Sequence, residues 1–128
     1  MIVAGVGFRR SAAADEIVAL VEQAIGHAAL TRGELRKLAT VDTLAALPAF
    51  AEAARRLAVA AIAVEEHALS AAAPRVRTHS ARSIAAHGVG SVAEAAALAA
   101  AGPQAELILE RIASPAATCA LARPETAP

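Results

Sequence analysis

The sequence predicts an α/β fold, in which a single three-layer α/β/α domain contains a mixed sheet of about five strands. Short apolar runs alternate with segments whose apolar residues recur at helical spacing, as expected when helices cover a sheet. The last two apolar runs are separated only by a turn with proline, which favours an antiparallel pair within the sheet. At 128 residues, with no repeat or linker, the chain has room for one domain. We expect that domain to occupy residues 1–123 and residues 124–128 to form a disordered tail.

The first half of the chain predicts a strand, a helix and a second strand. Ile2–Val6 is short, β-branched and stopped by glycine, as in a buried strand. Ser11 is placed to cap the helix that follows. Thr31–Glu34 has the spacing of a capping box, and Leu38–Asp42 is predicted to be the second strand. The core face of the first helix is predicted to consist of Ile17, Leu20, Val21, Ala24 and Ile25.

The second half predicts more helices and three further strands. A connection that contains Pro74 is expected to run over the surface. In chain order the predicted elements are a helix at Pro48–Leu57, a strand at 58–64, a short helical piece after Glu65, a helical turn at Ser80–Ala86, an alanine-rich helix that stops at Gly102, and strands at 106–112 and 117–123.

Composition excludes several classes of function. Twelve basic and twelve acidic residues balance, so no polybasic surface for nucleic acid or membrane is expected. Trp and Tyr are absent and Phe occurs twice, which leaves no stacking platform for single-stranded nucleic acid. The longest apolar run, Leu57–Val64, is too short to span a bilayer, and the single Cys119 fits a reducing compartment. We therefore expect a cytoplasmic protein without nucleic-acid or membrane partners.

The opening segment has part of a dinucleotide-binding pattern. Gly5 and Gly7 match the first two glycines of G-x-G-x-x-G, but Arg10 replaces the third, which in that fold lets the helix pack closely on the strand. The acidic residue expected about twenty positions further on is also absent. The sequence therefore disfavours a dinucleotide site.

A turn that binds another anion is the alternative for this segment. Unpaired amides and the helix dipole favour negative charge at the start of a helix. Arg9 and Arg10 would be repelled there unless an anion lay between them. The simpler alternative is that both arginines only point to solvent, as most arginines do.

A second glycine segment, His87–Glu94, has the sequence H-G-V-G-S-V-A-E. Ser91 and Glu94 have the spacing of a capping box, so a structural role for the segment is slightly favoured. Gly88 and Gly90 would then provide the backbone conformation that leads into the cap. The functional alternative is that the amides of this turn bind a carboxylate or phosphate.

No metal site is predicted. The four histidines, His27, His67, His79 and His87, show neither H-x-x-x-H nor H-x-H spacing. Cys119 lies in an apolar run and is expected to be a buried small side chain rather than a nucleophile. We expect no resident cofactor.

Three segments together resemble one protein family along nearly the whole chain. They are V-A-G-V-G-F-R-R-S-A-A-A-D-E-I near the start, G-V-G-S-V-A-E-A-A-A-L-A-A-A-G in the middle, and E-L-I-L-E-R-I-A-S-P-A-A-T-C-A-L-A near the end. The chain is similar to the family formed by CobE and the C-terminal domain of CbiG, from cobalamin (corrin ring) biosynthesis. Its length is more similar to a stand-alone CobE than to the multidomain CbiG.

The resemblance implies an α/β/α domain that acts on or near precorrin intermediates. CbiG proteins open a ring lactone of a cobalt-precorrin with loss of acetaldehyde, and the share of the C-terminal domain in that chemistry does not carry over. The chain also departs from the family. Phe8 stands where a cysteine is frequent, and only Asp42 and Thr43 stand where a lysine and a glutamate are frequent. Arg111 keeps the positive charge of a usual lysine.

Precorrins carry several carboxylates around a flat apolar ring, so a binding site needs spaced cationic or amide donors beside an apolar cleft. We expect the two glycine segments to supply them at the carboxyl edge of the sheet, where ligands of open α/β sheets collect. The predicted ligand-binding residues are Gly5, Gly7, Arg9, Arg10, Gly88, Val89, Gly90, Ser91, Glu94 and Arg111.

Two other functions stay open at this point. One is a hydrolase or lyase that acts on a precorrin lactone or side chain, with Glu94 or His87 as the acid–base group. The other is a scaffold that recognises another enzyme of cobalamin biosynthesis.

Overall fold

A computed structural model describes residues 1–124 and shows a five-stranded sheet at the centre of the fold. The strand order is β3-β2-β1-β5-β4, in which β1, β2 and β3 are parallel and β5 runs antiparallel to β1 and β4. The predicted mixed sheet is therefore confirmed. The strands are β1 (Ile2–Phe8), β2 (Leu35–Val41), β3 (Ala60–Val64), β4 (Glu106–Ala113) and β5 (Ala117–Arg123).

Helices cover both faces of the sheet. On one face α1 and α3 pack over a core that includes Phe50, and on the other α4 and α6 pack over a second core. The predicted three-layer α/β/α fold is confirmed. The helices are α1 (Ala14–His27), α2 (Asp42–Ala45), α3 (Pro48–Leu57), α4 (Glu66–Ala72), α5 (Ala81–His87) and α6 (Val92–Ala101), with 3-10 turns at Arg32–Glu34 and Ala73–Arg75.

The apolar residues predicted for the core face of α1 are buried as expected. In α1 these are the five residues expected from the helical spacing, and α3 has the predicted bounds. Phe8 stacks on Phe50 with ring centroids 6.4 Å apart, which joins the end of β1 to α3. The capping box at Thr31–Glu34 is also present, since the Thr31 amide donates to the Glu34 carboxylate at 2.8 Å.

Helix α6 lies unusually close to the sheet. All of its residues from Val92 to Leu98 are buried, and most of them are alanine. A Cβ added to Gly5 in β1 would lie 2.0 Å from the carbonyl oxygen of Ala93 and 2.6 Å from the amide nitrogen of Ala97. The glycine therefore allows the backbone of α6 to approach the strand directly.

The structure corrects the prediction for the opening segment. Strand β1 does not stop at Val6 but runs to Phe8, so Gly5 and Gly7 lie inside the strand and not in a turn. The reason is the neighbouring strand, because β5 pairs with β1 as far as Phe8 and supplies the hydrogen bonds that the glycine pattern by itself does not predict.

The predicted start of the first helix was also wrong. Helix α1 begins at Ala14, and its N-cap is Ala13, which makes no side-chain cap bond. Ser11 is exposed and precedes this cap. Before the helix starts, residues 9–12 form a tight turn. The Ala12 amide closes this turn by donating to the Arg9 carbonyl at 2.9 Å.

No single helix within residues 1–124 has the length and hydropathy needed to cross a membrane, and α5 and α6 reach that threshold only as a pair bent by 60°. The cytoplasmic location stays a prediction. Of the tail predicted to be disordered, residues 125–128 lie outside the described part of the chain.

Candidate functional site

A cleft of about 340 Å³ opens at the carboxyl edge of the sheet. Strands β1 and β4 end there, β5 begins there, and α2 and α5 form two of its sides. This is the edge at which ligands of open α/β sheets collect. The residues that line it are Gly7, Phe8, Arg9, Leu44, Ser80, Arg82, Ser83, Ala86, His87, Val92, Arg111, Ser114, Pro115, Ala116, Ala117 and Thr118.

The charged side chains of the cleft all have one sign. Arg9, Arg82 and Arg111 line it together with His87, whereas no aspartate or glutamate does. Within residues 1–124, none of these three guanidinium groups makes a hydrogen bond or an ion pair. A group of unpaired arginines beside a cleft is suited to bind carboxylates or phosphates, since each guanidinium can donate two parallel hydrogen bonds.

The arginines elsewhere in the described chain mostly have partners. Arg56 pairs with Asp15 at 2.5 Å, Arg32 pairs with Glu22 at 2.6 Å, and Arg123 pairs with Glu106 at 2.7 Å. Of the five arginines whose side chains have no partner within residues 1–124, three line the cleft: Arg9, Arg82 and Arg111.

The remaining surface of the cleft is apolar or hydroxylated. Phe8, Leu44 and Val92 contribute apolar side chains, and serine and threonine hydroxyls lie between the arginines. The hydroxyl of Ser83 is buried and makes no hydrogen bond within residues 1–124. A buried hydroxyl without a partner is uncommon in native structures and needs a physical explanation.

One side of the cleft is fixed by the turn between β4 and β5. The Arg9 amide donates to the Ala116 carbonyl at 2.9 Å, which ties the end of β1 to this turn. Glu16 in α1 accepts hydrogen bonds from the Ser114 hydroxyl and, at 2.7 Å, from the Ala116 amide. These two bonds hold the pKa of Glu16 below its ordinary value.

Glu94 is fully buried beneath the cleft wall, in α6. Its carboxylate accepts from the Arg77 amide at 2.6 Å, from the Thr78 amide at 2.9 Å and hydroxyl at 2.6 Å, and from the Arg111 amide at 2.9 Å. Burial by itself raises the pKa of Glu94, but the hydrogen bonds from Thr78, Arg111 and Arg77 outweigh it and lower the pKa below its ordinary value.

These bonds give Glu94 a positioning role. It ties the end of β4, where Arg111 enters the cleft, and the chain before α5 to one helix. The predicted capping box is present in half, since the Ser91 hydroxyl accepts from the Glu94 amide at 3.1 Å while the Glu94 carboxylate is committed to other segments. The acid that sequence spacing assigned to a local cap therefore makes tertiary contacts.

The glycines of the second segment allow a backbone conformation and a close approach of two segments that other residues would prevent. Gly88 adopts φ +75° as the C-cap of α5, a conformation that favours glycine. A Cβ added to Gly90 would lie 2.3 Å from the Thr78 carbonyl oxygen, because two chain segments cross there. The Ser80 amide also donates to the Gly90 carbonyl at 2.9 Å.

The structure brings part of the predicted site together. Of the predicted binding residues, the cleft is lined by Gly7, Arg9 and Arg111, and His87 lies on its wall. The other predicted residues do not line it: Gly5 lies under α6, Arg10 is exposed, Glu94 is buried, and Gly88, Val89, Gly90 and Ser91 connect two residues of the cleft wall, His87 and Val92. The binding role of these residues stays a prediction.

Sequence reasoning missed Arg82, Ser83 and the hydroxyls of Ser114 and Thr118. Nothing in their spacing distinguishes them, because they come from α5 and from both ends of the β4–β5 turn. Only the helical turn predicted to start at Ser80 pointed to Arg82 and Ser83. It indicated a short helix for which no core partner was predicted.

Cys119 is buried, as predicted, and burial raises the pKa of its thiol to about 12. A thiol in this environment stays protonated and unreactive. Among residues 1–124, no three His, Cys, Asp or Glu side chains lie in a group that could hold a metal ion.

Comparison with known proteins agrees with this fold. The family described as cobalamin synthesis G C-terminus matches residues 2–122. A curated relative from Sinorhizobium sp., named Protein CobE, is 41% identical over 125 residues, which is 98% of this chain and 81% of the relative.

Solved structures give the same result. The crystal structure of CobE, described as a protein from the cobalamin (vitamin B12) biosynthetic pathway, matches with a TM-score of 0.93 and 32% identity over 100% of this chain and 93% of its own. The cobalamin biosynthesis protein chiG from Agrobacterium tumefaciens str. C58 matches with a TM-score of 0.78 and 35% identity over 98% of this chain and 100% of its own. The chain therefore belongs to the cobalamin synthesis G C-terminus family and is a cobalamin biosynthesis protein of the CobE and CbiG C-terminal type.

Proposed function

We propose that the chain binds a precorrin or corrinoid intermediate of the pathway and that the carboxylates of the ligand lie in the cleft. The observation that carries this proposal is the group of three arginines, Arg9, Arg82 and Arg111, in a cleft whose lining contains no aspartate or glutamate. Arg9 and Arg82 are exposed and Arg111 is half-buried, so a ligand carboxylate can reach their guanidinium groups and accept two parallel hydrogen bonds from each.

The remaining surface fits the same ligand class. A corrin ring has an apolar face and carboxylates on short arms, and the cleft combines Phe8, Leu44 and Val92 with the arginines. At about 340 Å³ the cleft is at the small end of ligand pockets, so it would hold one edge of a macrocycle and its side chains rather than the whole molecule.

A titration with hydrogenobyrinic acid, a corrin with free carboxylates and no cobalt, tests this proposal through its visible spectrum. We expect a saturable spectral change with the unaltered chain. Arg9→Ala and Arg111→Ala should each weaken binding about tenfold, because a hydrogen bond to a charged group contributes about 1.5–3 kcal/mol.

Arg36→Ala is the matched control, since Arg36 is exposed, unpaired within residues 1–124 and lies on β2 near the opposite edge of the sheet. Its affinity should equal that of the unaltered chain. No spectral change at all, or equal affinities in the Arg9, Arg111 and Arg36 variants, would contradict the proposal.

A second candidate function is acid–base chemistry on a precorrin lactone or side chain. His87 favours it, because this residue lines the cleft beside the arginines. Glu94 is a poor candidate for that role, since its carboxylate is buried and already accepts four hydrogen bonds. Turnover of a precorrin substrate that is lost in His87→Gln and kept in Arg36→Ala would support catalysis, and unchanged turnover in His87→Gln would remove this candidate.

A further inference from the structure

Helix α5 contributes no residue to either core. None of its seven residues is buried, and none belongs to the apolar cluster on either side of the sheet. Its contacts with other helices and strands are sparse. Segments with few buried apolar contacts open locally at low free-energy cost.

The hydrogen bonds of α5 lie within the helix or at its two ends. The Ser83 amide donates to the Ser80 hydroxyl at 3.3 Å, and the Ile84 amide donates to the Ser80 carbonyl at 3.0 Å. Within residues 1–124, the side chains of Arg82 and His87 make no hydrogen bond, and the Ser83 hydroxyl has no partner. No side chain of the helix therefore bonds it to the rest of the fold.

The two ends of this helix are fixed, in contrast. Before it, Thr78 is held by the Glu94 carboxylate, and Ser80 bonds to Gly90 at 2.9 Å. After it, Gly88 turns the chain at φ +75° and Gly90 packs against Thr78. Both ends of α5 are therefore held by neighbouring segments, whereas the helix between them contributes no residue to either core.

One side of α5 faces the cleft. Arg82, Ser83, Ala86 and His87 line the cleft, whereas Ile84 is 49% exposed. Arg82 and His87 of α5 therefore line the same cleft as Arg9, which follows β1, and Arg111, which lies in β4.

From these observations we propose that α5 is a flap that moves aside to admit the ligand and closes with Arg82 and His87 on its carboxylates. The proposal rests on the binding function above. It explains how a cleft of about 340 Å³ accepts a larger polycarboxylate, since displacement of α5 widens the site without breaking either core. It also explains the unpartnered Ser83 hydroxyl, which gains a hydrogen-bonding partner once the helix moves and ligand oxygen enters.

Amide hydrogen exchange followed by mass spectrometry tests the flap directly. In the free protein, peptides that cover residues 84–88 should exchange at least tenfold faster than peptides from α1 and α6. Saturation with hydrogenobyrinic acid should slow the exchange of residues 84–88 and leave α1 unchanged. Exchange of α5 in the free protein as slow as that of α1 would overturn the flap, whatever the ligand does.

Variants separate a flap contact from a contact on the rigid wall. Arg82→Ala should weaken binding about tenfold and also remove the protection of residues 84–88 at saturation. Arg111→Ala should weaken binding but keep that protection at saturating ligand. Ile84→Ala, on the same helix but exposed, is the matched control and should change neither readout.

Failure of the flap and failure of the binding function are distinguishable. Bound hydrogenobyrinic acid without protection of α5, or protection kept in Arg82→Ala, overturns the flap while the binding function stands. Absence of binding by the unaltered chain overturns the binding function and the ligand-ordering role of α5 with it, and the exchange of the free protein still reports whether the helix opens.

Discussion

Helices α5 and α6 follow each other in the chain and begin in the same way, yet they have opposite surroundings. Each starts at a serine whose hydroxyl accepts from the amide three residues later, Ser80 for α5 and Ser91 for α6. Every residue of α6 from Val92 to Leu98 is buried, whereas no residue of α5 is. The same local start therefore leads to a core helix in one case and to a surface helix over a cleft in the other.

The polar groups of the two helices differ in the same way. Glu94 in α6 has its carboxylate oxygens saturated by donors from two other segments. Arg82 and Ser83 in α5 have no partner within residues 1–124. A buried polar group whose hydrogen bonds are all made to other segments holds the fold together. Polar groups beside a cleft that have no hydrogen-bond partner form a surface that is available to a ligand.

The largest effect is expected from removal of the Glu94 carboxylate. Glu94→Ala leaves four donors without an acceptor and should lower the free energy of unfolding by about 3–4 kcal/mol, measured by urea denaturation. Glu110→Ala removes an exposed acid from β4 and should change it by less than about 0.5 kcal/mol. Equal losses of unfolding free energy in the two variants would show that the hydrogen bonds to the Glu94 carboxylate do not stabilise the fold.

The same carboxylate sets a pH dependence. Because the pKa of Glu94 in the folded chain lies below its ordinary value of 4.5, its contribution to stability is complete above pH 4.5 and is lost as the pH falls through the folded value. Urea denaturation at pH 7 and in the acid range should therefore show a smaller loss on acidification in Glu94→Gln than in the unaltered chain. A parallel loss in both would contradict this assignment.

The next largest effect concerns the close approach of α6 to the sheet. Gly5→Ala places a methyl group 2.0 Å from a backbone oxygen of α6 and should lower stability by about 2 kcal/mol, seen as a lower Tm. Gly26→Ala is the control, since nothing lies within 4 Å of the added atom and its position is helical. That variant should gain about 0.5–1 kcal/mol. A tolerated Gly5→Ala would mean that α6 can move away from β1.

The smallest effect compares two serines. Ser91→Ala removes the cap of α6 and should cost about 1 kcal/mol. Ser83→Ala removes a hydroxyl without a partner and should leave stability unchanged or raise it by up to about 1 kcal/mol. Thermal unfolding of both variants distinguishes them, and a loss in Ser83→Ala equal to that in Ser91→Ala would mean that the Ser83 hydroxyl has a partner in solution.

Much of the fold was predictable because its helices and strands have regular patterns. Pro48–Leu57 matched the structure at both ends, since proline at the first turn and a clear apolar face define that helix locally. The opening strand was predicted too short, because its length depends on pairing with β5, more than a hundred residues away in the chain. A strand partner that far away leaves no mark on local spacing.

The candidate site was predictable only in part. Arg9 and Arg111 were expected beside a ligand and line the cleft, but Glu94, which was also expected to bind the ligand, is fully buried and does not line it. The S-x-x-E spacing is satisfied by a local cap, and a local rule gives no information on which other segments reach the carboxylate.

The sequence by itself determined the alternation of helices and strands, the mixed sheet and the family, because periodicity, caps and motif residues are local properties. Only the tertiary structure decided which glycine makes room for a helix, which acid is saturated and which arginines are left together without partners. Those properties depend on atoms that are distant in the chain and close in space, and the energy of a charged or polar group is set by such neighbours.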